Sequence, residues 1–346
     1  MGSYRSPKQT LSAIGVVTLL LQASVVSSFP QTTTYPLTVV DKFIIPRTFE
    51  NIATRHNGHL ILTSVTSSIL YQVSPVEEDE TVAIANIPGT TGLLGIAELE
   101  QDFFYVVAAN VSTVSATPGS NSIWRVDLRG SRPCSARNRA SCLLATASLV
   151  ANITSAQLLD GMCRLEPNNN SMLLIADSAA GNVVKLDVET GAYETIIDEI
   201  SMKPLAAGLQ VAINGIHVHG SDLYFTNLNQ GIFAKFPMAL HNGTAIGPTE
   251  MIANNTAGDN FTMSKDGRKA WIAMNGQHSL VEVDVPGKTA RVVVDSSYVA
   301  SSSAVSFGRA RLDRDCLYIS SAEILDPTLT KNSTATGGLI VKIDLP

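Results

Sequence analysis

Carboxylate, amide and hydroxyl side chains recur at the start of short β runs along this chain. They are Glu50, Asp160, Asn214, Asp259 and Ser303. Oxygen atoms of Glu, Asp and Asn are the ligands that hard divalent cations such as Ca²⁺ and Mg²⁺ prefer, and a carboxylic acid can also transfer a proton. These residue types therefore predict a polar site if the fold brings the run starts together. The alternative is that they cap strand ends and bind only one another and water.

A second set of side chains is predicted to contact a substrate at the same place. Its members follow or flank the polar positions, and most are apolar: Met162, Ile216, Phe261 and Ser303, with Glu98 in the second unit. Charged residues other than the carboxylates are scarce around them. The pattern favours an apolar substrate over a sugar acid.

The elements that must position these residues form a sixfold repeat. Each unit has a short β run, a turn and a second β run that usually closes on an acidic residue, as in residues 124–128, 184–188, 281–285 and 341–345. The units recur roughly every 45–60 residues, a spacing typical of propeller blades. The sequence therefore predicts an all-β, six-bladed β-propeller, in which the inner strands start around one central channel.

The chain ends predict how the ring closes. The sixth unit reaches only its third strand before the chain stops at Pro346, whereas residues 37–45 are rich in β-branched side chains and have no partner nearby. We expect this N-terminal strand to complete the last blade and cover its open edge. Helical periodicity is weak, and residues 145–151 and 238–241 are the best candidates for short helical connectors.

Residues 1–28 have the features of a secretory signal peptide. A basic start with Arg5 and Lys8 precedes an apolar stretch and small residues before Phe29, which leaves 29–346 as a single propeller domain in the secretory pathway or outside the cell. A signal anchor is the alternative. Seven Asn-x-Ser/Thr sites agree with export: Asn110, Asn152, Asn169, Asn242, Asn254, Asn332 and Asn260, the last within a predicted channel motif.

Composition narrows the range of partners. Charged residues make up 16% of the chain and the net charge is -6, which gives no electrostatic footprint for nucleic acid. No stretch after the signal peptide is long enough to span a bilayer. We expect small apolar substrates, no nucleic acid, no membrane after signal cleavage, and a monomer or weak dimer.

Four cysteines are too few for a disulfide scaffold. Cys134 and Cys142 flank a loop rich in Arg and Ser and could close it in an oxidising compartment. Cys163 and Cys316 fall in β segments of opposite units, so buried free thiols are expected there.

Several short motifs give the chain a family resemblance. Phe-Glu-Asn-Ile-Ala (49–53), Asp-Gly-Met (160–162) with Ile-Ala-Asp-Ser (175–178), Asn-Gly-Ile (214–216) and Asp-Asn-Phe (259–261) resemble those of the gluconolactonase/regucalcin-like six-bladed propellers. The resemblance implies that Glu50, Asn214 and Asp259 hold a divalent cation, Ca²⁺ or Mg²⁺, with Asp160 where the family often has Asn. Its activity would be that of a metal-dependent lactonase or esterase.

The chain is more similar still to secreted propellers of fungal secondary-metabolite pathways, through the same opening motif, signal peptide, glycosylation sites and apolar channel. Some of that group are hetero-Diels-Alderases that join a tropolone quinone methide to a macrocyclic terpene such as humulene. The resemblance implies this cycloaddition, with no cofactor required and with Glu50, Asp160, Asn214 and Asp259 as the polar catalytic set. A metal-dependent lactonase and a non-catalytic ligand-binding propeller are the alternatives.

Overall fold

The fold of the chain is built from β-strands. The computed structural model describes residues 35–43, 49–75, 81–112, 115–133, 143–321 and 337–346. In these ranges there is no α-helix, and two short 3-10 turns, Ile200–Met202 and Ser297–Val299, are the helical segments. Across the same residues, no helix has the length and apolar character to cross a membrane.

Six antiparallel sheets of four or five strands form the blades. The first contains β2 (Ile52–Thr54), β3 (Leu60–Leu62), β4 (Ile69–Val73) and β5 (Val82–Asn86). The second contains β6 (Gly92–Glu98), β7 (Phe103–Ala109), β10 (Ser122–Asp127) and β11 (Thr146–Asn152), and a small ribbon of β8 (Val111–Ser112) and β9 (Ser115–Ala116) follows β7. The third contains β12 (Leu159–Arg164), β13 (Met172–Asp177), β14 (Asn182–Asp187) and β15 (Tyr193–Ile197).

The remaining blades repeat this arrangement. The fourth contains β16 (Ile213–His219), β17 (Asp222–Asn227), β18 (Ile232–Ala239) and β20 (Glu250–Asn254), with β19 (Thr244–Ala245) paired to β18. The fifth contains β21 (Phe261–Met263), β22 (Lys269–Met274), β23 (Ser279–Asp284) and β24 (Thr289–Asp295). The sixth contains β25 (Ser302–Phe307), β26 (Cys316–Ser321), β27 (Leu339–Asp344) and β1 (Leu37–Lys42). The prediction of a six-bladed propeller is therefore confirmed.

The N-terminal strand closes the ring as predicted. Strand β1 pairs antiparallel with β27, with Leu37 opposite Ile343 and Lys42 opposite Leu339. Tyr35 extends the closure to the fifth blade, since its hydroxyl donates to Glu282 Oε2 at 2.7 Å and its backbone N–H donates to Val293 O at 2.8 Å. The last blade thereby gains a fourth strand, and the edge of β27 is covered.

The hydrophobic core lies between neighbouring blades. Successive side chains of a strand point to opposite faces of the sheet, and β13 shows the consequence: Leu173 and Ile175 pack with residues of the second blade, whereas Leu174 and Ala176 pack with residues of the fourth. A strand buried on both faces has a continuous apolar sequence.

Two further predictions, on the helical connectors and on two cysteines, have clear outcomes. The segments considered as helical connectors are not helices, because residues 146–152 form β11 and Met238–Ala239 end β18, where both pair within a blade. Cys163 and Cys316 are buried free thiols, as expected. The signal peptide, Cys134, Cys142 and Asn332 lie outside the described residues.

Removing β1 tests ring closure. Deletion of residues 35–42 would expose the edge of β27 and remove the Tyr35 contacts, so we expect the midpoint of thermal unfolding to fall by more than about 5 °C, the shift of a few kcal/mol in a domain of this size. Circular dichroism measures the change. The matched variant Tyr35→Phe loses only the hydroxyl hydrogen bonds, so its free energy of unfolding should fall by about 1–2 kcal/mol and its midpoint by less than that of the deletion. Equal melting of the deleted and full-length proteins would contradict the closure.

Candidate functional site

Three carboxylates converge at the start of the inner strands. Glu50 lies just before β2, Asp160 is the second residue of β12, and Asp259 lies just before β21. One ligand oxygen from each lies within 4.8 Å of the other two. Asp160 and Asp259 are each 4% exposed, and Glu50 is partly exposed. Asn214, the second residue of β16, is 3% exposed and lies at the same place.

Bulges and glycines allow this convergence. The pairing of β12 shifts between Leu159 and Met162, which places Asp160 and Gly161 in a bulge, and bulges next to active sites often re-aim a side chain in this way. A Cβ on Gly161 would lie 2.1 Å from the backbone oxygen of Asn214, and one on Gly95 would lie 2.0 Å from that of Asp160. Adjacent inner strands can therefore approach this closely only because these positions lack a side chain.

Hydrogen bonds fix the backbone around the carboxylates. The Glu50 N–H donates to Thr63 O at 3.0 Å, and the Asp259 N–H donates to Ala273 O at 2.9 Å. Thr226 Oγ1 donates to Asp259 O at 2.6 Å and joins the fourth blade to the fifth. The acidic side chains thus stand on rigid strand ends.

Two amides border the carboxylates. Asn275 Nδ2 donates to Asp259 Oδ2 at 2.8 Å, and the Asn214 side chain also hydrogen-bonds to Asp259. The Oδ1 atom of Asn214 is buried and has no hydrogen-bond partner within the described part of the chain. A buried acceptor without a partner is costly and points to a bound group. Asn275 was missed by the sequence analysis; its signal is that it directly follows the second strand of its blade, as Leu228 does.

Burial raises the pKa values of all three acids, and neighbouring negative charge adds to the shift of two of them. Burial raises the pKa of Asp259 to about 7, partly offset by the hydrogen bonds from Asn275 and Asn214. Burial and the charge of Asp259 raise the pKa of Asp160 well above its usual range. Burial and the charges of Asp259 and Asp160 do the same to Glu50. The three groups cannot all be ionised cheaply, so the site needs a proton or a cation.

A divalent cation fits these residues. Ca²⁺ binds oxygen ligands at about 2.3–2.6 Å, so ligand atoms on one ion lie up to about 5 Å apart, and the three carboxylate oxygens satisfy that limit. Asn214 Oδ1 supplies an additional acceptor that is otherwise unpartnered. Among the described residues, Glu50, Asp160 and Asp259 form the one group of three or more His, Cys, Asp or Glu side chains with such spacing.

Above the acids lies a cavity with apolar walls. It contains about 490 Å³ of space, counted together with the solvent in its open mouth. Its floor consists of Glu50, Asp160, Asn214, Asp259 and Asn275. Its walls are Val65, Leu94, Val111, Leu158, Leu209, Val211 and Leu228.

The residues predicted to contact substrate lie mostly elsewhere. Met162, Ile216 and Phe261 pack in the clusters between blades and do not line this cavity. Ser303 is buried, and its Oγ donates to Phe49 O at 2.8 Å. Glu98 ends β6, far along the strand from the acids, and pairs with Arg309; Leu94 holds the position of the second blade at the cavity. Their roles in substrate binding stay predictions.

The glycosylation sites differ in accessibility. Asn152 and Asn254 are exposed, and Asn110, Asn169 and Asn242 are partly exposed. Asn260 is held in place, since its Oδ1 accepts from the Phe261 N–H at 2.8 Å and its own N–H donates to Ser303 O. Glycosylation itself stays a prediction at every one of these positions.

The raised pKa values predict a specific pH dependence. Free Asp titrates near pH 4, so with Asp259 at about 7 the folded state binds protons more tightly between these values. The contribution of Asp259 to the free energy of unfolding is therefore most favourable below pH 4, and it is lost as the pH rises from 4 through 7. The pKa of Asp160 is raised in the same direction by burial and by the charge of Asp259. In chelator, Asp160→Asn should therefore raise the free energy of unfolding by about 1–3 kcal/mol at pH 8 and by much less at pH 5.

Denaturant melts of both proteins at the two pH values provide the measurement. Asp187→Asn, at the last residue of β14, is the matched control and should show no such pH-dependent gain. A variant that is less stable than the wild type at pH 8 would contradict the electrostatic argument.

Comparison with known proteins identifies one relative by sequence and several solved structures with the same fold. No protein-family model matches the chain. A protein from Sarocladium schorii named "Putative hetero-Diels-Alderase asR5" is 25% identical over 314 residues, which cover 78% of this chain and 74% of that protein.

Solved structures share the fold at low identity. A luciferin-regenerating enzyme superposes with a TM-score of 0.64 at 12% identity, covering 90% of this chain and 95% of that one. The calcium-binding protein regucalcin from Agrobacterium tumefaciens superposes with a TM-score of 0.60 at 15% identity, covering 91% and 96%. The chain is thus a six-bladed propeller with the regucalcin fold, and in sequence it is similar to a protein named as a hetero-Diels-Alderase.

Proposed function

We propose that this chain is an enzyme that catalyses a hetero-Diels-Alder coupling. Its substrates would be a tropolone o-quinone methide and a macrocyclic sesquiterpene of the humulene type, in fungal biosynthesis of tropolonic sesquiterpenoids. The observation that carries the proposal is the division of one cavity into an acidic floor and an apolar wall, which suits one oxygenated partner and one hydrocarbon. Similarity to the Sarocladium protein supports the same reaction class.

The coupling requires little covalent chemistry from the protein. The quinone methide contributes its O=C–C=CH₂ unit and the alkene its double bond; one C–C and one C–O bond form, and no atom leaves. Holding both partners in a near-attack arrangement supplies much of the rate increase. A hydrogen bond to the tropolone oxygen would stabilise the negative charge that develops there.

The floor residues can also assist formation of the quinone methide. A hydroxymethyl tropolone gives it by loss of water: the hydroxymethyl C–O bond breaks, the leaving oxygen takes a proton, and the ring hydroxyl loses one. Three carboxyl groups whose oxygens lie within 4.8 Å of one another retain at least one proton beside a carboxylate when no cation is bound. They thereby offer a proton donor and an acceptor in the same place.

A divalent cation bound at the floor would assist the reaction without being required for it. If bound by Glu50, Asp160, Asp259 and Asn214, Ca²⁺ or Mg²⁺ would act as a Lewis acid toward a substrate oxygen; the cycloaddition itself requires no cofactor. We further propose that the protein enters the secretory pathway, carries glycans, and acts as a monomer or weak dimer on small apolar substrates.

The first test is direct. Purified protein is incubated with a hydroxymethyl tropolone precursor and humulene, with and without chelator, and the adduct is followed by chiral chromatography. We expect faster and stereoselective adduct formation that survives chelation. Glu50→Gln and Asp160→Asn should each lower the rate by roughly 10²-fold, the usual contribution of a proton-transferring group.

The control for these variants is Glu194→Gln, a matched change on exposed β15, which should keep the wild-type rate. Adduct formation no faster than in buffer would reject the cycloaddition. Unchanged activity of Glu50→Gln and Asp160→Asn would reject the proposed site while leaving the reaction class open.

The unpartnered Oδ1 of Asn214 beside three carboxylates favours a second candidate. This is a lactonase or esterase that depends on a divalent metal, as regucalcin's description as a calcium-binding protein suggests. We expect 1 mM Ca²⁺ to raise the melting temperature of chelator-treated protein by several degrees, since ligands that bind only the folded state stabilise it.

Asn214→Leu should abolish that shift, because it removes the free acceptor, whereas Asn86→Leu, at the exposed end of β5, should retain it. No calcium-dependent shift in the wild type would remove the metal-dependent candidate. Neither adduct nor hydrolysis, with Ca²⁺ still bound, would leave a ligand-binding propeller.

A further inference from the structure

The connection between the third and fourth blades reaches the cavity. Residues 198–212 join β15 to β16 and include the 3-10 turn Ile200–Met202. Three of its large apolar side chains are exposed: Ile200 (82%), Leu205 (55%) and Leu209 (37%). Of these, Leu209 lines the cavity, together with Val211 from the same connection. One segment therefore supplies two of the seven apolar wall residues.

The side chain of Asn229 holds the central part of this connection. Asn229, in the turn after β17, accepts from the Leu205 N–H at 2.6 Å through Oδ1. Its Nδ2 donates to Ala207 O at 3.0 Å and to Leu209 O at 2.6 Å. Its backbone N–H donates to Val211 O at 3.0 Å. Asn229 thus binds the backbone of Leu209 directly and fixes where that side chain enters the cavity.

The backbone between these contacts is shaped for the same purpose. Gly208 has φ = +90°, a conformation that favours glycine, and it lets the chain turn around the Asn229 amide. Gln210 Nε2 donates to Leu205 O and Gly208 O at 3.1 Å each. These hydrogen bonds within the segment give the turn a defined conformation, so it forms an ordered part of the cavity wall.

We propose that residues 203–211 select the hydrocarbon partner of the reaction, with Leu209 as the specificity-determining side chain and Asn229 as its positioning residue. The inference rests on the proposed function and assigns one end of the cavity. A sesquiterpene hydrocarbon has no group that can hydrogen-bond to the acidic floor, so its binding depends on apolar area removed from water. Leu209 is the wall residue with the largest exposed apolar surface to cover.

Binding without reaction tests the assignment. Humulene is volatile, so headspace gas chromatography over the protein solution measures its free concentration and gives Kd; equilibrium dialysis gives Kd for tropolone. We expect Leu209→Ala to weaken humulene binding about 3–10-fold, the effect of one lost apolar contact, and to leave tropolone binding unchanged. Leu205→Ala, the same substitution on an exposed leucine of the same segment that does not line the cavity, should change neither Kd.

Asn229→Ala should weaken humulene binding similarly without lowering the melting temperature by more than a few degrees. If Asn229 acts through Leu209, the loss should largely vanish when Asn229→Ala is added to Leu209→Ala, because the two changes then remove the same contact. A purely structural role would give additive losses and would also weaken tropolone binding.

The outcomes separate this inference from the proposed reaction. Weaker humulene binding by Leu209→Ala in a protein that forms no adduct would support the wall assignment and reject the cycloaddition. A wild-type protein that forms the adduct, with a humulene Kd that neither Leu209→Ala nor Leu205→Ala changes, would support the cycloaddition and reject the wall assignment. Wild-type protein that takes up no humulene would overturn the inference.

Discussion

The close approach of the inner strands at the propeller axis is the constraint on which the site depends. Bulges and side-chain-free positions such as Gly95 and Gly161 bring neighbouring strand starts into van der Waals contact. Residues far apart in sequence then stand side by side on rigid backbone, because each strand end is hydrogen-bonded to its own blade or the next. A Cβ at either glycine would push the strands apart and separate Asp160 from its partners.

Crowding the acids has an electrostatic cost, and that cost is what makes them chemically useful. Desolvation raises the pKa values of Glu50, Asp160 and Asp259, and neighbouring carboxylates add to the shifts of Glu50 and Asp160. The floor therefore binds a proton or a cation in preference to carrying three charges. Functional sites often contain such destabilised groups, and the rest of the fold must offset the cost. Here the offset comes from the apolar packing between the blades, with the ring closed by β1.

The cavity combines this floor with a wall of a different origin. The floor comes from the inner strands, whereas much of the wall comes from the turns and connections at the blade ends, as with Val65, Leu209 and Leu228. A propeller can therefore keep one polar centre and change its substrate through the connections, as loops on a rigid scaffold commonly do.

The fold and the polar centre follow from the amino-acid sequence alone. The sixfold recurrence of apolar β runs predicted the blades, the unpaired β-branched segment near the N-terminus predicted ring closure, and the repeat placed Glu50, Asp160, Asn214 and Asp259 at equivalent strand starts. Which side chains face the cavity depends on the packing of the strands and could not be predicted from the sequence. Strand β6 starts at Gly92, so Leu94 lies at the cavity and Glu98 at the far end of the strand. The register also shifts between Leu93 and Ile96, and spacing alone does not reveal such a bulge. Asn275 and Leu209 enter from loops whose paths depend on contacts with distant residues, and no local pattern encodes those contacts.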